Sequence, residues 1–249
     1  MTTAAAWSVA LNGLDGAMVE VEVADGAGLP RTVLVGLPDA ALSQAKERVR
    51  AAVAGAGLSW PTGLVTINLS PANLPKTGTH YDLAIAAAAL AAKDEEIREA
   101  TRRFVCLGEL GLDGRVRRVP GILPALLTAV KSGFEKALVP VSQESEAALV
   151  PGIEVWPAGH LLDLVEVLHG RPPLGTWPAE TEQDESLKAL GQLDFHDVQG
   201  HPDGRWVMEV AAAGRHHVFL HGAPGVGKTM LASRLPSILP PLDGEEAVE

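Results

Sequence analysis

One stretch narrows the possibilities more than any other: Gly222-Ala223-Pro224-Gly225-Val226-Gly227-Lys228-Thr229, a complete G-x-x-x-x-G-K-[ST] pattern. The apolar triplet Val218-Phe219-Leu220 precedes it as a predicted strand, and Met230 to Leu235 follows as a predicted helix. That order is the one the pattern needs, because the glycines let backbone N–H groups turn inward onto a phosphate and the helix start adds its dipole. Gly222, Ala223, Pro224, Gly225, Val226 and Gly227 form the cradle. Lys228 is placed to reach the β- and γ-phosphates of a bound nucleotide, and the Thr229 hydroxyl to ligate a magnesium ion carried with it. Upstream, Met208 to Ala213 reads as a short helix.

Binding and hydrolysis make different demands. Hydrolysis needs a later strand ending in acidic residues, an oriented water and a transition-state cation. Asp243, Glu245 and Glu246 follow Pro240-Pro241 with no apolar strand before them, so they do not supply that strand. The expectation is therefore a fragment or a truncated product that holds nucleotide and does not turn it over alone.

The remainder is globular by composition. Apolar residues make up 47% and charged residues 20%, which excludes wholesale disorder. The longest apolar run, Leu83 to Ala92, is about half a membrane span. No Lys or Arg precedes Arg31, so the N-terminus lacks a signal-peptide pattern. The single cysteine, Cys106, forbids an intrachain disulfide, and a cytoplasmic location is expected. Net charge is −11, against a general nucleic-acid coat. Residues 1–172 carry 15 basic and 19 acidic residues, residues 173–249 carry 5 and 12. With the Pro- and acid-rich run Gly170 to Glu185, this asymmetry predicts a first domain over 1–170, a linker over 171–192 and a second segment over 193–249. Eight histidines raise a metal reading. His216 and His217 would face opposite ways in a strand and no Cys pair is present, so no protein-bound metal is expected beyond the nucleotide's magnesium.

The first domain reads as α/β or α+β. Val19, Val21 and Val23 alternate with Glu20 and Glu22 as a half-buried strand. Thr32 to Val35, Leu64 to Leu69 and Ala137 to Val139 are further strands. Pro38 to Gly55 reads as one helix burying Leu42, Ala45, Val49 and Ala52. Tyr81 to Ala92 reads as a helix buried all round, with Ile122 to Ser132 and Leu161 to His169 as two more. Phe104 to Leu110 and Arg115 to Val119 flank a Gly111–Gly114 turn as a hairpin. Asp82 reads as a helix N-terminal carboxylate. Arg102, Arg103, Arg115, Arg117 and Arg118 are the candidate DNA-contacting cations of this domain, or an ordinary solvated face.

Several segments resemble one family. Asn68-Leu69-Ser70-Pro71-Ala72-Asn73-Leu74-Pro75-Lys76, Gly78, Tyr81-Asp82-Leu83, Gly108-Glu109-Leu110 and Gly114-Arg115 are similar to the magnesium-chelatase-like AAA+ ATPases that include the competence protein ComM. Val9 to Gly16 and Val35 to Asp39 look like that family's opening. The resemblance implies an α/β chain: a Lon-protease-like N-terminal domain followed by the first part of a P-loop AAA+ module. It also implies ATP and magnesium as cofactors, a homo-hexamer when full length, and action on DNA in recombination or transformation. Matched on the Lon anchors, the serine position falls on His80 and the lysine position on Leu123, and neither can supply the peptidase chemistry. The first domain is therefore expected to be a scaffold or contact module, not a protease. The rival expectation is a Lon-like binding module whose phosphate loop is vestigial. Phe195 to His201 resembles the AAA+ entry segment, but Pro202-Asp203-Gly204-Arg205-Trp206 departs from the pattern that would put Gly200 and His201 beside adenine.

Overall fold

The computed structural model describes residues 2–175 and 193–241, which fall into two compact units. Most of the expected linker, residues 176–192, and the acidic residues Asp243, Glu245 and Glu246 lie outside the described residues. Among those described, no helix is long and apolar enough to cross a membrane.

The first unit is built on a seven-stranded mixed sheet. Its strands are β1 (Thr2–Asn12), β2 (Asp15–Gly26), β3 (Arg31–Val35), β4 (Leu64–Ser70), β5 (Phe104–Cys106), β8 (Lys136–Pro140) and β9 (Glu154–Ala158). They lie in the order β3-β4-β2-β1-β5-β8-β9. β1 and β2 form an antiparallel hairpin whose last pair is Asn12 with Asp15, and Gly13 turns the corner at φ +65°. β2 pairs antiparallel with β4, and β3 runs parallel to β4. On the other side β5, β8 and β9 extend the sheet in parallel from β1.

Helices cover both faces. One face packs against α2 (Ala45–Gly55), α3 (Asp82–Ala91) and α7 (Leu161–Leu168), and the other against α5 (Ile122–Lys131). Every residue of α3 is buried, as its sequence implied. Its run of alanines makes that possible, because a thin helix can lie close to β1 and β2 on one side and to α2, α4 (Glu95–Thr101) and α7 on the others. Val19, Val21 and Val23 are fully buried on β2, and Leu42, Ala45, Val49 and Ala52 form the inner stripe of the helical segment beyond β3.

Three expectations are corrected. Pro38 to Gly55 is two helices, α1 (Ala40–Ser43) and α2, because Asp39 caps α1 by accepting the Leu42 N–H while Pro38 bridges to Lys76 outside it. The hairpin strands are shorter than expected. β5 joins the main sheet, and only β6 (Glu109–Leu110) pairs with β7 (Val116–Arg117). Gly108 separates them, and a side chain there would press on Val116 at 2.8 Å.

The second unit has no paired strand among its described residues. It consists of a turn of 3₁₀ helix (Phe195–Asp197), α8 (Pro202–Gly214), the glycine-rich loop, α9 (Lys228–Arg234) and a closing 3₁₀ turn (Leu235–Ile238). The expected strand Val218-Phe219-Leu220 is therefore the third correction. A strand with no neighbour leaves its ladder N–H and C=O groups without partners, so nothing holds it in register. Its core is small: Phe195, Val198, Met208 and Leu231, lined by Val218, Leu220, Met230 and Leu235. Phe219 is 88% exposed and Trp206 65%.

Candidate nucleotide-binding site

The glycine-rich loop takes the backbone shape that its residues were selected to allow. Gly222, Gly225 and Gly227 have φ of +155°, +82° and +85°, conformations that residues with a Cβ rarely adopt. Gly227 is the left-handed N-cap of α9, and Lys228 is the first helical residue. The first N–H groups of a helix have no intrahelical acceptor, so those of Lys228, Thr229 and Met230 have none within α9. Space is also tight at two of the three: a Cβ on Gly222 would stand 3.2 Å from Val226 Cγ2, and one on Gly227 3.2 Å from His201 Nε2 and 3.4 Å from Met230 Cε.

Lys228 folds back over this ring. Its ammonium donates to the carbonyls of Gly222 at 2.8 Å and Ala223 at 2.7 Å, which holds a positive charge over the cradle. Thr229 is exposed one residue on, with Ala223, Pro224 and Val226 on the rim. A triphosphate with its metal fits this set by chemistry: inward glycines, helix N–H donors, one ammonium and one hydroxyl. His201, whose role was in doubt, is brought against the loop at Gly227, in a left-handed conformation (φ +51°) just before Pro202 opens α8.

In the first unit, Lys76, His80, Tyr81 and Asp82 are all buried, and each is held separately. His80 Nε2 contacts the Val9 carbonyl at 2.7 Å, and burial lowers its pKa. Lys76 is fully buried, its ammonium donating to the Pro71 carbonyl, and burial lowers its pKa too. The Tyr81 hydroxyl is buried with no hydrogen-bond partner, and its pKa is raised by burial and then by Asp39. Leu123 is half-buried against the α5 core. Asp82 is more than a helix-end charge. It takes a two-point contact from Arg48, at 2.5 Å from Nε and 2.8 Å from Nη2, and accepts the Leu110 N–H at 3.2 Å. A partner 34 residues upstream was invisible to local reading.

The five candidate arginines are not one patch. Arg115 pairs with Asp113 at 3.2 Å and Arg118 with Glu146 at 3.8 Å, beside the small hairpin. Arg102 and Arg103 line a separate groove of about 360 Å³ with Lys136, Phe134, Glu135, Ser132 and Gly133.

Comparison with known proteins bears on both units. A family described as subunit ChlI of Mg-chelatase matches residues 19–143, and one described as magnesium chelatase, subunit ChlI, matches residues 194–249. An uncharacterised protein of Mycobacterium tuberculosis is 47% identical over 251 residues, covering 100% of this chain and 49% of its own length. The competence protein ComM of Haemophilus influenzae is 38% identical over 253 residues, covering 100% of this chain and 49% of its own. The DNA repair protein RadA of Aquifex aeolicus is 40% identical over 87 residues, 35% of this chain and 18% of its own. The chain thus spans about half the length of the first two relatives. With both units matched by magnesium-chelatase families and all of this chain aligned to about half of ComM, the chain belongs to the magnesium-chelatase-like family that includes ComM.

Proposed function

We propose that Gly222 to Thr229 bind ATP with magnesium, as the nucleotide site of an AAA+ ATPase that works on DNA. The observation that carries the reading is the loop itself. Three positive-φ glycines lead into a helix start, with the Lys228 ammonium held over the ring they make. Lys228 neutralises the β/γ-phosphates and Thr229 contributes a hydroxyl to the magnesium. In the whole protein we place this site in a homo-hexamer, in the cytoplasm, with hydrolysis completed by groups outside residues 1–249. The DNA role rests on the names of the relatives, competence for ComM and DNA repair for RadA. The first unit is read as a Lon-like scaffold without peptidase chemistry. Position 80 carries an imidazole and no hydroxyl to act as nucleophile, and Leu123, packed in an apolar cluster, has no amine to activate one.

Two observations favour the rival reading, a contact module with a vestigial loop: Lys228 is satisfied by the loop's own carbonyls, and Val218 to Leu220 has no strand partner among the described residues. Magnesium-ATP protection separates the two. On the ATPase reading, nucleotide raises the thermal midpoint of the chain or of its full-length parent, by mass action on the folded state, and Lys228→Ala removes the rise. Protection of neither protein sinks the reading and leaves the contact module.

A further inference from the structure

We propose that Asp94, Glu96 and His169 form a divalent-metal site on the first unit, selective for zinc-like ions over magnesium or calcium. It is independent of the nucleotide reading and uses residues 75 positions apart in sequence, which no spacing pattern connects.

The geometry starts with the imidazole. His169 Nδ1 lies 2.9 Å from the Val165 carbonyl oxygen. A carbonyl only accepts, so Nδ1 carries the proton. His169 Nε2 then faces two carboxylates, Asp94 Oδ2 at 3.2 Å and Glu96 Oε2 at 3.7 Å. Acceptor facing acceptors is repulsive unless a cation stands between them. A metal is one such cation and a second ring proton the other.

Three features favour the metal. First, ligands bound to a tetrahedral zinc at about 2.1 Å stand about 3.4 Å from one another, and the two nitrogen–oxygen separations straddle that value. All three ligand atoms lie within 4.8 Å of one another. Second, the ring is oriented through its far nitrogen by a main-chain carbonyl, the arrangement metal-ligating histidines use. Third, Asp94 is fixed as well: its Oδ1 accepts the Glu96 N–H at 2.9 Å as the N-cap of α4, which leaves Oδ2 for the ion. His169 is also the C-cap of α7, where the helix dipole favours positive charge of either kind, a metal ion or a second ring proton. The nearby Arg171 is engaged with Glu166 through two nitrogens. One imidazole nitrogen with two carboxylate oxygens suits zinc, cobalt or nickel better than magnesium or calcium. A bound ion would pin the end of α7 to the start of α4, stapling the last helix of this unit to its neighbour.

The test uses the 249-residue chain titrated with cobalt(II), read by visible absorption, and with zinc chloride, read by the thermal midpoint. Histidines of the second unit are a built-in control. The site should take one equivalent of cobalt with the strong absorption of low coordination, and zinc should raise the midpoint. His169→Ala should weaken binding by at least about tenfold. So should Glu96→Gln, which changes an exposed side chain and leaves folding intact. His216→Ala with His217→Ala should change neither readout. Binding unaffected by both His169→Ala and Glu96→Gln, or no binding at all, overturns the proposal and leaves a protonated-histidine ion pair at this place.

Discussion

Arg48 on α2 and Asp82 at the start of α3 are joined through both carboxylate oxygens, with the Asp82 side chain fully buried and that of Arg48 20% exposed. The contact ties two helices that the sheet alone would leave to slide, and the Leu110 N–H brings the small hairpin to the same carboxylate. Removing one partner should therefore cost much more than removing both. Arg48→Ala leaves a buried carboxylate unpaired, and should lower unfolding free energy by about 3 kcal/mol. Arg48→Met combined with Asp82→Asn, which keeps an acceptor for Leu110, should lose clearly less than Arg48→Ala. Urea unfolding of the three chains decides it, and a double variant as unstable as the single one would show the pair to be incidental.

The same carboxyl sets a pH dependence. Burial pushes Asp82 up to about 6, against the lowering by Arg48 and the Leu110 N–H. In the unfolded chain it titrates near 4, so between the two values the folded state binds more protons. The stability owed to this difference is complete below about pH 4 and lost as pH rises through about 6. Measured against Asp82→Asn, which cannot ionise, the wild-type margin should shrink over that window and level off above about pH 7. A margin that grows with pH would mean that Arg48, not burial, controls the carboxyl.

What could be read in advance followed local periodicity. Val19, Val21 and Val23 declared their strand because one side of β2 is exposed at Glu22, and α3 declared itself by an unbroken apolar run. β1 went unread although it is central. Ala4, Ala6 and Ala10 serve one core and Val9 the other, so no alternation marks it, and alanine is a poor strand signal. β9 carries Pro157, which argues against a strand but is tolerated at the sheet's edge. The pattern Gly222–Thr229 could be read because its residues are contiguous, and the positive φ of its glycines is what the pattern leads one to expect, while its use for nucleotide is our proposal. The Arg48–Asp82 pair and the Asp94–Glu96–His169 cluster could not be read, because folding alone assembles them.

Gly36 sits at φ +107° after β3, and a Cβ there would lie 2.3 Å from the Leu69 carbonyl oxygen on β4. Neither the backbone nor a paired strand can give way cheaply. Gly36→Ala should cost about 2 kcal/mol or more. Gly13→Ala, at φ +65° with open space around it, should cost only about 1 kcal/mol. Chemical denaturation of both variants gives the comparison, and equal losses would show that conformation alone, not the approach of Leu69, restricts Gly36.

If the first unit contacts DNA, the groove of Arg102, Arg103 and Lys136 is the better candidate than the hairpin. Three cations face it with one acid, Glu135, in its lining, and Phe134 offers a ring for a base. Ion pairs occur at both places, Arg115 with Asp113 and Arg118 with Glu146 at the hairpin, Arg103 with Glu99 and Lys136 with Glu154 at the groove, so what favours the groove is three cations gathered in one lining. Phosphate contacts announce themselves in the salt dependence of affinity, each contributing about 0.7 to 0.9 to the logarithmic slope. Arg102→Ala with Arg103→Ala should flatten that slope by roughly 1 to 2, whereas Arg115→Ala with Arg118→Ala should leave it unchanged. Binding titrations across a series of salt concentrations, on the full-length parent carrying each pair, make the measurement. A slope that responds to the hairpin pair and ignores the groove pair would move the contact to the hairpin, and would mean that its ion pairs open to receive phosphate.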